Sequence, residues 1–304
     1  MIKAVTVTNH LGESLTMDLM QPEGSGFTVR SISGLGPVKA TVNVTEGGSM
    51  DGSSYNSSRA GGRNIVLKLG FMMDPTIEHS RQKSYRYFPI KKRVTLTIET
   101  DTRTLETFGW VESNQPDIFS PDSTGDISIV CTDAYFYSPG EEGLNTTAFF
   151  SIEPRFEFPF GNESLTTKLL EMSSVENGVE RQIFYEGDAE VGLNIVMRAI
   201  GPATNVTIHN VGTRESMTIN TAKLAVITGS AIIAQDEIFI STVKGAKSIW
   251  LLRAGVYTNI LNTLETNVDW FTLTKGVNVF AYEAATGVSN LQFTITNRVL
   301  YEGV

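Results

Sequence analysis

Three histidines, His10, His79 and His209, are the side chains whose proton affinity suits acid–base work or metal ligation near neutral pH, and they lie far apart in the chain. None has a His, Cys or carboxylate partner at metal-ligand spacing. His209 follows Val206-Thr-Ile208, so strand alternation puts it on the Thr207 face, away from the two apolar residues, as a solvated strand histidine. Hydrolysis of a glycosidic bond needs two carboxyl groups flanking it. Asp188-Ala-Glu190 would present two on one strand face, and Glu141-Glu142 lie in a loop. Acids at turns and strand edges are common, and both pairs are read that way. Asp122-Ser-Thr-Gly-Asp126 lacks the alternating acidic ligands and distal Glu of a calcium loop, so a plain turn is expected. There is no Gly-rich phosphate loop ending in Lys-Ser/Thr and no strand–Gly-x-Gly-x-x-Gly–helix unit. The expectation is a protein that is not an enzyme and has no catalytic residues, metal or cofactor.

Aromatic rings can stack on sugar faces, and Trp250, Tyr257, Trp270 and Phe271 all fall in the second half. Ser-Ile-Trp-Leu-Leu and Asp-Trp-Phe-Thr-Leu read as strands, however, and large aromatics in such runs are expected in the core.

The chain must position these groups with 304 residues, enough for about two domains at roughly 150 residues each. Twenty-four basic against 33 acidic residues leave a net charge of −9. That balance excludes a surface built to grip nucleic acid through counterion release. Cys131 is the one cysteine, so neither an intrachain disulfide nor a Cys-based zinc cluster is expected. Met1 to Asn9 lacks a basic stretch followed by an apolar run, so no signal peptide is expected. Leu224 to Ala234, the most apolar stretch, is too short to span a bilayer. The reading is a soluble protein made in the cytoplasm, with no membrane role.

The dominant period is two. Val38–Val44 alternates almost perfectly, as do Ile65, Leu67, Leu69 and Phe71; Val94, Leu96 and Ile98; Val191, Leu193, Ile195 and Met197; and Val277, Val279 and Ala281. Each segment predicts a half-buried strand with one core face, with turn residues between, as in sandwiches and jelly rolls. One helix is predicted, with Asp74 as N-cap, Pro75 at its first position, Pro89 as its stop, and Ile77, Tyr85 and Phe88 on one face. Leu165–Met172 is read as strand despite its helical spacing. Glu46–Gly62 reads as a long polar loop, either a floppy hairpin tip or an arm that orders against a neighbouring subunit. Tyr137–Gly143 is the best domain boundary, giving domains 1–143 and 144–304, with the final strand free to pack on either.

Several segments resemble the distal tail proteins of siphophages. Arg63-Asn-Ile-Val-Leu-Lys-Leu69, preceded by Gly61-Gly62, looks like the family's Gly-Arg-x-Ile-x-Leu strand, and Tyr85-Arg-Tyr-Phe88 like its basic and aromatic helix end. Phe108-Gly-Trp-Val111 sits where the family places a Gly-bearing strand. Cys131-Thr-Asp-Ala-Tyr-Phe resembles a Cys-x-Asp-Pro-Tyr-Phe signature, with Ala134 in place of the usual proline. Tyr185-Glu-Gly-Asp188 with Gly192, Asp269–Asn278 and the ending Arg298–Val304 are similar to further family segments, so the likeness spans Gly61 to Val304.

The resemblance implies a mostly β protein: an N-terminal β-sandwich with one short α-helix, forming a hexameric ring, and a C-terminal galectin-like jelly roll. It implies a structural role at the virion tail tip, with the tail tube protein, the tip hub protein and a receptor-binding protein as partners. DNA would pass an acidic lumen without specific binding. On this reading Gly47, Gly48, Met50, Tyr55, Gly61, Gly62 and Arg63 belong to an arm that embraces the next subunit. The alternative is a carbohydrate-binding adhesion module that touches the host wall.

Overall fold

The computed structural model describes residues 1–48, 51–119, 123–140, 143–154 and 173–304. Met50, Asp122, the Glu141-Glu142 pair and Leu165–Met172 lie outside the described residues. Mostly β is the observed class. The chain divides into two compact units, Met1–Gly143 with Leu300–Val304, and Leu144–Val299.

Unit 1 opens with β1 (Ile2–Thr8), β2 (Ser14–Asp18) and β3 (Phe27–Ser33). Next come β4 (Ala40–Glu46), β5 (Ser53–Ala60) and β6 (Arg63–Phe71). After α1 (Ile77–Tyr87) follow β7 (Arg93–Thr100), β8 (Thr104–Pro116), β9 (Thr124–Cys131) and β10 (Phe136–Tyr137). One antiparallel sheet runs in the order β2-β1-β7-β8-β9-β6-β3. Its two end strands, β2 and β3, are joined by residues 19–26 and touch. The sheet therefore rolls over on itself, and its inward residues meet in one core. Alternation puts Val5 and Val7, Ile65, Leu67 and Leu69, Val94, Leu96 and Ile98, and Ile127 and Ile129 in that core.

The helix is present but begins later than its sequence predicts. Thr76 is the N-cap, its hydroxyl accepting from His79 N–H at 3.1 Å, and the Asp74–Pro75 peptide before it is cis. A threonine three residues ahead of a free N–H satisfies it directly, so Pro75 falls outside the first turn. The inward stripe also differs. Ser80, Ser84 and Phe88 are buried and Tyr85 faces outward, because small serines let the helix approach the sheet closely. Ser80 Oγ donates to Met72 O at 2.8 Å.

At the far end of this helix Arg86 pairs with Glu13 in the β1–β2 turn, its Nε donating to Oε2 at 2.8 Å. The hydrogen bond from Arg86, aided by one from Asn9, holds the Glu13 carboxyl down at about 2 against its usual 4.5. A depressed carboxyl contributes stability that is complete above its unfolded value and lost as pH falls through its folded one. The stability difference between wild type and E13Q in urea titrations is thus expected to be flat above pH 4.5 and to shrink towards zero by about pH 2. A difference independent of pH would show that the pair does not couple folding to protonation.

Unit 2 holds β11 (Leu144–Ala148), β12 (Phe150–Pro154), β13 (Ser173–Asn177) and β14 (Glu180–Tyr185). It continues with β15 (Val191–Gly192), β16 (Asn194–Ala199), β17 (Thr204–Asn210) and β18 (Glu215–Ile219). After α2 (Thr221–Thr228) come β19 (Glu237–Ser241), β20 (Ser248–Arg253) and β21 (Val256–Asn259). The unit ends with β22 (Thr272–Leu273), β23 (Gly276–Thr286) and β24 (Leu291–Arg298), and β25 (Leu300–Tyr301) returns to unit 1. The sheets β11-β24-β16-β19-β20-β21 and β14-β23-β17-β18 are both antiparallel, and the chain changes sheet between β16 and β17 and again between β18 and β19. Inward residues of the two, among them Ile195, Ile240, Leu251, Ile208, Met217 and Phe280, are buried. Tyr282 of one sheet stacks on Phe293 of the other with ring centroids 4.0 Å apart.

Helix α2 was not anticipated by the apolar run that contains it. Asn220 caps it by accepting from Ala222 and Lys223 N–H at 2.9 and 3.1 Å, and Gly229 ends it in the left-handed region at φ 81°. No helix among the described residues is long and apolar enough to cross a membrane.

Candidate functional site: an uncovered hairpin arm and its root

Strands β4 and β5 pair only with each other, and every described residue of both is exposed. This overturns two sequence readings. Val38–Val44 was expected to bury one face, and Glu46–Gly62 to be loop; instead Ser53–Ala60 is the return strand of a hairpin. The hairpin forms because its register brings side chains into cross-strand pairs: Asn43 Nδ2 donates to Ser57 Oγ at 3.0 Å and Asn56 Nδ2 to Thr45 Oγ1 at 2.6 Å. Register places Ala40 opposite Ala60, Val42 opposite Ser58, and Val44 opposite Tyr55. One face therefore carries Ala40, Val42, Val44, Tyr55 and Ala60 as a largely apolar stripe interrupted by Ser58, and the other carries Thr41, Asn43, Thr45, Ser57 and Arg59. An isolated two-stranded hairpin is marginal in water, and here the stripe is left exposed among the described residues. Tyr55 is 64% exposed.

The site residues expected from sequence separate into tip, arm and root. Gly47 and Gly48 begin the tip loop and are exposed, Tyr55 lies on the stripe, and Gly61 follows β5, also exposed. Gly62 sits at the root, where a Cβ would stand 2.6 Å from Cys131 O, so only glycine allows this approach to β9. Arg63 is inside the unit, 3% exposed. Its Nε donates to Ala134 O at 3.1 Å, Nη1 to Gly34 O at 3.2 Å and Nη2 to Glu302 O at 2.9 Å, and the guanidinium lies 3.9 Å above the Phe136 ring. Burial lowers its proton affinity. The acceptor at position 134 is a backbone carbonyl, which proline would also supply, so Ala134 preserves the contact. Beside it, burial pushes the Cys131 thiol up.

Arg63 thus fastens the arm's root to the returning C-terminal segment. Tyr301 pairs with Phe136 and Leu300 with Tyr137, and Arg103 Nη2 donates to Gly303 O at 2.8 Å. A cleft of about 270 Å³ opens at the same root, among Pro37, Val38, Ser58, Tyr135 and Glu302. Val42 and Val44 are the functional candidates that sequence reading placed in the core; their strict alternation is the signal for the stripe.

The groups weighed for chemistry are not gathered. Asp188-Ala-Glu190 lies in the bend between β14 and β15 and not on a strand, with Asp188 paired to Lys275 at 3.1 Å. His209 stands 3.3 Å from Glu283 on the outer face of its sheet. Among the described residues no three His, Cys, Asp or Glu side chains are placed to hold a metal ion. The remaining motifs are turns. Tyr185 Oη donates to Ala189 O at 2.8 Å, and a Cβ at Gly187 would collide with that phenol. Asn278 Nδ2 donates to Thr274 O at 2.7 Å while its Oδ1 accepts from Thr274 N–H.

Two antiparallel β units, the first bearing an unpaired arm and receiving the C-terminal strand, define the class of fold. No family model matches the sequence, and neither does any curated protein. Among solved structures the chain is similar to the SPP1 Dit (gp 19.1) protein, described as a paradigm of hub adsorption apparatus in Gram-positive infecting phages. That match has a TM-score of 0.61 at 13% identity and covers 97% of this chain and 98% of the other. A structure of the phage P2 baseplate in its activated conformation with Ca matches at 12% identity over 98% of each chain, with a TM-score of 0.45. The chain has the fold of the SPP1 Dit protein.

Proposed function

We propose that this protein is a structural, non-enzymatic component of a phage tail tip, forming a hexameric ring that joins the tail tube to the tip hub. The observation that carries the reading is the β4–β5 arm, whose apolar stripe is exposed among the described residues, on a fold shared over nearly the full length with a hub adsorption protein. Unit 1 is the ring-forming part. Unit 2 is a galectin-like jelly roll on which a receptor-binding protein docks. The arm closes the ring by laying Val42, Val44 and Tyr55 on the next subunit, the head-to-tail contact that cyclic assembly requires. The ring's lumen is net negative, in keeping with the charge of −9, so that DNA slides past.

Light scattering after size exclusion tests this directly. The expected species has a mass near six times 33.3 kDa, about 200 kDa. A protein that remains a monomer both alone and with the tube and hub proteins would overturn the ring.

A further inference from the structure

We infer that the outer face of β19, β20 and β21 is a saccharide-binding site, with Phe239, Trp250 and Tyr257 as its floor. The inference is independent of the ring reading. Trp250 and Tyr257 were expected in the core, and Phe271 is buried, yet Trp250 is 39% and Tyr257 61% exposed. The cause is parity. In Glu237–Ser241 the inward residues are Ile238 and Ile240, and in Ser248–Arg253 they are Ile249 and Leu251, which turns Phe239 and Trp250 outward. Register sets Phe239 opposite Trp250, with Tyr257 across the next strand pair opposite Leu252. The Phe239 and Tyr257 ring centroids are 6.0 Å apart, and the three rings line a shallow depression of about 350 Å³.

The surroundings point to a sugar and away from a protein partner. A protein-docking face has a wide apolar centre, whereas here only Val196, opposite Phe239, and Leu252, opposite Tyr257, extend the three rings before hydrogen-bonding groups begin. Register places Asn259 beside Trp250, Ser241 opposite Ser248 and Asn194, and Arg198 opposite Glu237 on the same face. Two of these are already held: Asn259 Oδ1 accepts from Leu261 N–H at 3.0 Å, and Arg198 lies 3.3 Å from Glu237, so the rim adds no net charge. A pyranose shows C–H groups on one face and hydroxyls around its edge. An electron-rich floor meets the first, and a neutral rim of amides, hydroxyls and one ion pair meets the second. Because the inner faces of β19 and β20 are core, the rings stand on rigid strands and lose little freedom on binding.

Saturation-transfer NMR on the full chain, with the methyl glycosides of galactose, glucose, N-acetylglucosamine and rhamnose as probes, tests the site. Transfer to at least one glycoside is expected, concentrated on its C–H face. W250A should reduce it at least tenfold and Y257A several-fold, while F184A, on an exposed residue of the other sheet, leaves it unchanged. Both affected side chains are at the surface, so circular dichroism should match the parent. Silence from all four glycosides, or equal transfer in W250A, overturns the inference. So does a tail protein that binds this face, and is lost in W250A, while the glycosides stay silent.

Discussion

Replacing Thr41–Arg59 with a two-glycine turn between Ala40 and Ala60 is expected to convert a ring of about 200 kDa into folded monomers slightly lighter than the 33.3 kDa of the full chain. The described residues of the deleted stretch are all exposed, so its removal forfeits little intrachain apolar burial, and shortening a loop costs little in closure entropy. In an assembly, by contrast, each half-exposed valine of the stripe contributes on the order of 1 kcal/mol when a neighbour covers it. Light scattering and thermal unfolding together read both quantities. An unaltered ring would remove the arm from the interface. A collapse of the melting temperature would instead mean that the hairpin supports its own subunit.

The second large effect is expected at the arm's root. Arg63→Met should destabilise unit 1 by about 3–5 kcal/mol, because three backbone carbonyls lose a charged donor and each such hydrogen bond is worth roughly 1.5–3 kcal/mol. The carbonyls of Gly34, Ala134 and Glu302 would lose their common donor, and two of them belong to segments far from β6 in sequence. Arg63→Lys should recover only part of the loss, because a single ammonium cannot span acceptors that the planar guanidinium reaches from three nitrogens. Denaturant titration measures both variants. A change under 1 kcal/mol for R63M would show that the returning Leu300–Val304 segment is held by its strand pairing, by Arg103 and by the bond from Val304 N–H to Leu35 O.

How much was legible follows from how local each signal is. The Ile65-Val-Leu-Lys-Leu69 and Val94-Thr-Leu-Thr-Ile98 strands were readable because alternation acts over a few residues. The helix after Pro75 was readable in kind but not in start, since either Asp74 or Thr76 offers a capping oxygen and only the chain's path selects one. Helix α2 was missed although Asn220 and Gly229 bracket it, because the apolar run between them shows no polar face. Arg63 was singled out by its motif, but its role was not, because its acceptors arrive from residues 34, 134 and 302.

By itself, then, the sequence determined the β class, the face-by-face alternation of most strands and the acid surplus. It could not assign the cover for an apolar face. Val42 and Val44 alternate as cleanly as Leu67 and Leu69, yet the first pair is solvent-exposed and the second is core. Phe239 and Trp250 sit in runs that are apolar on both faces, so their sequence leaves the outward parity open. Burial is a property of what packs from elsewhere in the chain, and that depends on contacts between segments far apart in sequence. Tertiary structure alone decided which apolar faces this protein spends on its own core and which it keeps for others.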